Sequence, residues 1–250
     1  MNTLRALAFA VWLYGSIAVV GILGSPIAAF SRQGALDVAR AWAHTALFGA
    51  RWIMGITIVV EGREHIPQNK AIIAIKHQAM VDTILPFLLF HQPIMVLKQE
   101  LVSAPVYGWF AMRMQMIPVA RDTHASALKA MLRAARPHIE AGRQIVIFPE
   151  GTRTTPGAPA DYKPGVAALY KDLAVSVTPV ALNSGVVWPA KGHGYRPGVI
   201  TVRVLPSIPP GLSRADFMAQ LEQRIESASN ALLDRAIPLP PTALARELGG

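Results

Sequence analysis

One histidine and one aspartate stand five residues apart, His77 and Asp82, with Gln78-Ala79-Met80-Val81 between them. An imidazole with a carboxylate to orient it suits proton transfer near neutral pH. On a continuous helix of 3.6 residues per turn, positions five apart point about 140° away from each other. The pair therefore meets only across a turn, and its flanks provide for one. Ala71–Ile75 (AIIAI) is a short Ile-rich run of the kind that forms a buried strand, and a second apolar run begins at Thr83. This pattern predicts Asp82 at the N-cap of a helix over 83–90, where its carboxylate would accept backbone N–H groups. Taken alone, the same pattern also describes a surface histidine beside a capping aspartate.

A second constellation follows the cleanest apolar run of the chain, 144–148 (QIVIF), which leads straight into Pro149-Glu150-Gly151-Thr152-Arg153. Gly151 permits a tight turn and a close approach of backbone to ligand. Arg153 offers a fork of donors that matches a phosphate. Glu150, at the end of a buried strand, needs a partner or a hydroxyl-bearing ligand. Lys98 and Arg121 end two further short apolar runs, 94–97 and 116–119. If these strands are neighbours running the same way, one base and three cations converge on a single rim, where open α/β sheets bind ligands.

The elements that must position these groups are legible as alternating runs. Strands are predicted over 56–60, 71–75, 94–97, 116–119, 144–148, 175–182 and 199–205. Helices are predicted over 83–90, 104–112, 123–141, 165–173 and 213–235. That alternation predicts an α/β domain with a mixed, largely parallel sheet flanked by helices. Ahead of it, residues 6–31 contain no charge, more than the roughly 20 residues that cross a bilayer and longer than the apolar core of a secretory leader. Gly15, Gly21, Gly24 and Pro26 argue against one straight helix throughout that span. A second apolar stretch over 41–60 carries His44 and Arg51, and is predicted to lie at an interface or turn back with Arg51 reaching to headgroups. The resulting organisation is an N-terminal helical membrane anchor over 1–55, a catalytic α/β domain over 56–236 and a loose Pro-rich tail over 237–250. The anchor is either a span plus an interfacial helix or a helical hairpin.

Composition narrows the partners. Hydrophobic residues make up 52% of the 250, charged residues only 16%, and the formal charge is +9. The mean hydropathy is +0.34 and the pI about 10.3. This balance favours phosphate-bearing partners at a bilayer. Nucleic acid is disfavoured, because aromatic residues are few and the basic ones are scattered through apolar surroundings. There is no cysteine, which removes disulfides, thiolate metal sites and a Cys nucleophile. With no metal-ligand cluster and no nicotinamide fingerprint, no metal and no cofactor are expected.

His77-x4-Asp82, Arg121 after an apolar strand, Phe148-Pro149-Glu150-Gly151-Thr152-Arg153 and Val177-Thr178-Pro179-Val180 stand in the order seen in the glycerolipid acyltransferase family. The chain resembles that family over residues 70–185, and within it the lysophosphatidate acyltransferases of bacteria. The resemblance implies acyl transfer from an acyl thioester, acyl-CoA or acyl carrier protein, to the sn-2 hydroxyl of 1-acyl-sn-glycerol-3-phosphate, giving phosphatidic acid. It implies His77 as general base and Asp82 as its orienting partner. It implies Arg121, Gly151 and Arg153, with Lys98, around the acceptor's phosphate, and Thr152 in contact with substrate. Glu150 would bind the glycerol hydroxyl or brace the loop. The bilayer, the lysophospholipid and the acyl carrier are the implied partners, at an inner membrane with the catalytic domain facing the cytoplasm. Another lysolipid acceptor, such as a lyso-ornithine lipid, and a degenerate lipid-binding protein are the alternatives. Many members have Asn where this chain has Lys76, Ser for Ala79 and Gly for Gln115, and the resemblance places these changes beside the acceptor pocket.

Overall fold

The chain is described by a computed structural model that covers residues 3–120, 124–190 and 194–236. Seven strands form one sheet: β1 (Ile56–Glu61), β2 (Ala71–Ile75), β3 (Pro93–Lys98), β4 (Ile117–Val119), β5 (Gln144–Ile147), β6 (Val177–Leu182) and β7 (Gly198–Val204). Their order across the sheet is β1-β7-β6-β2-β5-β3-β4. All neighbours are parallel except β6 and β7, so the predicted mixed, largely parallel sheet is what forms. The helices are α1 (Thr3–Phe30), α2 (Arg32–Met54), α3 (Pro86–Leu89), α4 (Tyr107–Arg113), α5 (His124–Glu140), α6 (Gly165–Leu173), α7 (Ser184–Val187) and α8 (Arg214–Asn230).

The central strands read as continuous apolar runs because both faces of the sheet are covered. Along β2 the side chains alternate between two cores. Ile73 and Ile75 join Val146 and Val180 in a core shared with α1 and α2. Ile72 and Ala74 join Ile145, Met131, Tyr170 and Phe217 in a core shared with α5, α6 and α8. Tyr170 stacks on Phe217 with centroids 3.9 Å apart. Truncating a wholly buried residue such as Ile73 costs about 2–5 kcal/mol.

The N-terminal segment folds as two helices packed on each other as a hairpin. α1 and α2 are separated by Ser31 alone, whose hydroxyl accepts the Gly34 N–H at 2.9 Å. α1 is continuous through Pro26. The proline lacks the N–H that would bond to Ile22, and the Ser25 hydroxyl donates to that carbonyl instead, at 2.8 Å. At Gly49 a Cβ would stand 2.2 Å from the Trp12 ring, so the missing side chain lets the indole lie on α2 and donate to Thr45 O at 2.9 Å. α2 does not start near residue 41 but at Arg32, and ends at Gly55, left-handed at φ +71°.

α1 is the helix among the described residues that is long and apolar enough to cross a membrane. One side of it is core: Phe9 packs edge-on against Trp188 at 5.0 Å. The other side exposes Leu4, Val11, Leu23 and Phe30, the last 90% exposed. The hairpin therefore shares its core with the sheet while presenting an apolar outer face.

Candidate active site

β2, β5 and β3 are neighbouring parallel strands, so their carboxyl ends share one rim. His77 leaves β2 at this rim, and its Nδ1 lies 3.1 Å from Asp82 Oδ2. The predicted helix over 83–90 does not form as one piece. A 3₁₀ turn, Met80–Thr83, comes first, and α3 starts at Pro86. Asp82 is consequently not the N-cap. It is the third residue of the turn and reaches back, its Oδ2 accepting the N–H groups of Gln78 at 2.6 Å and Ala79 at 2.7 Å. Its other oxygen accepts the Ser184 hydroxyl at 2.6 Å. With four donors and no solvent exposure, this carboxylate is fixed in place.

Bonding through Nδ1 assigns the proton there, which leaves Nε2 of a neutral imidazole as the acceptor. The ring is 12% exposed and stacks on Phe148 with centroids 4.2 Å apart. Phe148 opens the turn that carries Gly151, which adopts φ +66° and donates its N–H to Phe148 O at 3.0 Å. Past the turn, Thr154 donates its N–H at 2.8 Å and its hydroxyl at 3.1 Å to the carbonyl of His77. The residue before it, Arg153, is exposed, and this bond brings its backbone close to that of the histidine. A base that takes a proton, with a fixed carboxylate behind it, can deprotonate a hydroxyl, and an exposed arginine on the adjoining turn is available to a phosphate-bearing substrate.

A family model described as Acyltransferase matches residues 57–183. The chain belongs to the acyltransferase family. It is similar to a Pseudomonas aeruginosa protein named 1-acyl-sn-glycerol-3-phosphate acyltransferase, at 31% identity over 91% of this chain and 89% of that protein. A protein of the same name from Limnanthes douglasii is 30% identical over 63% of this chain and 56% of its own length. The fold is also that of the crystal structure of a 1-acyl-sn-glycerophosphate acyltransferase from Thermotoga maritima, with a TM-score of 0.77, 21% identity, and coverage of 95% of this chain and all of that one.

In this acyltransferase the residues singled out from sequence divide into groups. His77, Asp82, Gly151, Thr152 and Arg153 come together at the rim. Lys98 ends β3 at the same rim, two strands from β2, and pairs with Glu100 at 2.8 Å. Arg121 lies outside the described residues. Glu150 points inward, 1% exposed, against Lys76 Nζ at 3.1 Å; burial pushes its carboxyl above the ordinary range and Lys76 pulls it back.

Two of the three departures from the family pattern have clear surroundings. Lys76 is buried, 2% exposed, because two carboxylates, Glu150 and Glu226, draw it inward. Gln115 precedes β4, at the amino ends of the strands, where it accepts from Arg143. It adopts φ +63°, the left-handed region that glycine occupies most cheaply. Sequence reasoning missed Ser184 and Thr154. Ser184 follows β6, and only the adjacency of β6 to β2 brings it to Asp82.

An apolar cavity of about 50 Å³ lies between the hairpin and α3–α4, lined by Trp42, Phe87, Val106, Tyr107, Phe110 and Met114 among others.

Proposed function

We propose that this acyltransferase moves a fatty acyl group from an acyl thioester, carried by CoA or acyl carrier protein, to the sn-2 hydroxyl of 1-acyl-sn-glycerol-3-phosphate, giving phosphatidic acid. The observation that carries this reading is the dyad of His77 and a buried Asp82 tied through Thr154 to the turn that bears Arg153. His77 Nε2 takes the proton of the acceptor hydroxyl as its oxygen attacks the thioester carbonyl. Asp82 stabilises the imidazolium, as the aspartate does in a serine hydrolase, but the nucleophile belongs to the substrate. Collapse of the tetrahedral intermediate expels the thiolate, which recovers the proton from His77. Arg153 and the Gly151-Thr152 backbone, with Lys98 and Arg121, hold the acceptor's phosphate. Glu150 acts from within as a brace for the turn. The exposed apolar side of α1 suits association with the bilayer that supplies the lysolipid. Because the acyl thioester is a cytoplasmic metabolite, the rim faces the cytoplasm at the inner membrane.

Purified protein offered a matched acyl thioester and a panel of lysolipids tests this. Turnover of lysophosphatidate above the others is expected. Turnover of another lysolipid, a lyso-ornithine lipid for example, with lysophosphatidate untouched would overturn the acceptor assignment and leave the reaction class standing.

A further inference from the structure

Four residues from four separate segments meet beneath the rim. Lys76 ends the β2 segment directly before His77. Glu150 lies in the turn after β5, Tyr162 in the loop before α6, and Glu226 on α8. Lys76 Nζ donates to both oxygens of Glu226, at 2.7 and 2.8 Å, and stands 3.1 Å from Glu150 Oε1. The Tyr162 hydroxyl donates to Glu226 Oε1 at 2.8 Å. Glu226 is thus saturated. Glu150 is held more loosely: the Lys76 ammonium is its charged partner, and the backbone N–H groups of Glu150 and His77 lie close enough to favour its anion, but none of these meets its oxygens in good hydrogen-bond geometry.

The sheet explains what such a contact is needed for. The last paired residues of β2 and β5 are Ala74 and Ile147. Beyond them the two chain ends diverge, one toward His77 and the other toward Gly151 and Arg153, with no ladder bonds to fix their separation. Several ties cross the gap: Thr154 bonds to the His77 carbonyl, Phe148 stacks on the His77 ring, and Lys76 meets Glu150. A buried ion cluster is weak evidence of added stability, since apolar replacements of similar volume often do as well. What it can specify is geometry.

We propose that Lys76 is a positioning residue for acyl transfer: with Glu226 and Tyr162 it holds Glu150, and through Glu150 the Gly151–Arg153 turn, at a set distance from His77. The assignment rests on the acyltransferase reading. It gives α8, far along the chain from every motif residue, a part in binding the acceptor. Asp82 holds the His77 imidazole independently, so loosening this cluster displaces the phosphate-holding turn more than the base.

The test compares wild type with Lys76→Met, Glu226→Gln and Tyr162→Phe, using kcat, the KM for acceptor, the KM for acyl thioester and the melting temperature. In Lys76→Met and Glu226→Gln the acceptor KM is expected to rise about fivefold to tenfold, with the thioester KM unchanged and kcat changed less. Tyr162→Phe should raise the acceptor KM about twofold to threefold. A lower melting temperature with both KM values and kcat unchanged would overturn the proposal and leave a purely structural cluster. Should Lys76→Met not fold, Glu226→Gln and Tyr162→Phe, which keep the side-chain shapes, decide by the same criterion. Failure of the wild type to acylate any lysolipid would instead count against the acyltransferase reading itself.

Discussion

Ser184 donates its hydroxyl to Asp82 Oδ1 at 2.6 Å, across 102 residues of chain. The oxygen it meets is the one that His77 and the Gln78 and Ala79 amides leave unused. A hydrogen bond to a charged group contributes about 1.5–3 kcal/mol. Ser184→Ala is therefore expected to lower kcat about tenfold with the acceptor KM unchanged. Steady-state kinetics at saturating thioester check this, and an unaltered kcat would remove Ser184 from the dyad's support.

His77→Ala should lower kcat by on the order of 10²-fold or more, as expected for loss of a general base. The ring is mostly buried, stacked on Phe148 and bonded to Asp82, so some fall in melting temperature should accompany the loss. Asp82→Asn should lose activity to a similar degree and also melt earlier, because an amide offers one acceptor oxygen where the carboxylate offers two. Activity and calorimetry on the same preparations separate the two roles.

Arg153 is exposed, and its ordering comes through the neighbouring Thr154. Arg153→Ala is expected to raise the acceptor KM at least tenfold while leaving kcat and melting temperature close to wild type. Titrating the acceptor against each protein is sufficient, and an unchanged KM would take Arg153 out of the phosphate site.

At the amino ends of the strands, His138 Nδ1 accepts from Arg143 at 3.0 Å. Burial, then Arg143, then Arg32 push this imidazole down to about 4 from its usual 6.5. The folded state thus resists a proton that the unfolded chain takes up. The associated stability is complete above about pH 6.5 and is lost as pH falls toward 4. With the ring half exposed, the loss is on the order of 1–2 kcal/mol. Melting curves of wild type should decline across that window, and those of His138→Gln should decline less.

Much of the fold was legible because its strands are buried on both faces, and continuous apolar runs such as 71–75 and 144–147 have few other uses. Convergence of His77 and the Gly151–Arg153 turn also followed, since parallel neighbours bring their carboxyl ends together. What escaped depends on spatial order. Ser184 reaches Asp82 only because β6 lies beside β2, and Lys76 meets Glu226 across 150 residues. The inward turn of Lys76 and Glu150 was equally hidden, because a lysine at a strand end looks the same in sequence whether it faces solvent or a buried carboxylate. The continuity of α1 turned on one serine hydroxyl replacing one missing amide. That detail is local, yet invisible to a rule that treats proline as a break.

The strand order carries a consequence for how the molecule is made. β1 follows directly on the hairpin, yet it sits at an edge of the sheet and its neighbour there is β7, so that Glu61 waits for Arg203, 142 residues later. On the ribosome, α1 and α2 emerge while β1 still has no strand to join. Chains ending at residue 197 should leave β1 open to protease, and chains ending at residue 236 should protect it. The edge of the sheet beside the hairpin is thus among the last parts of the fold to close.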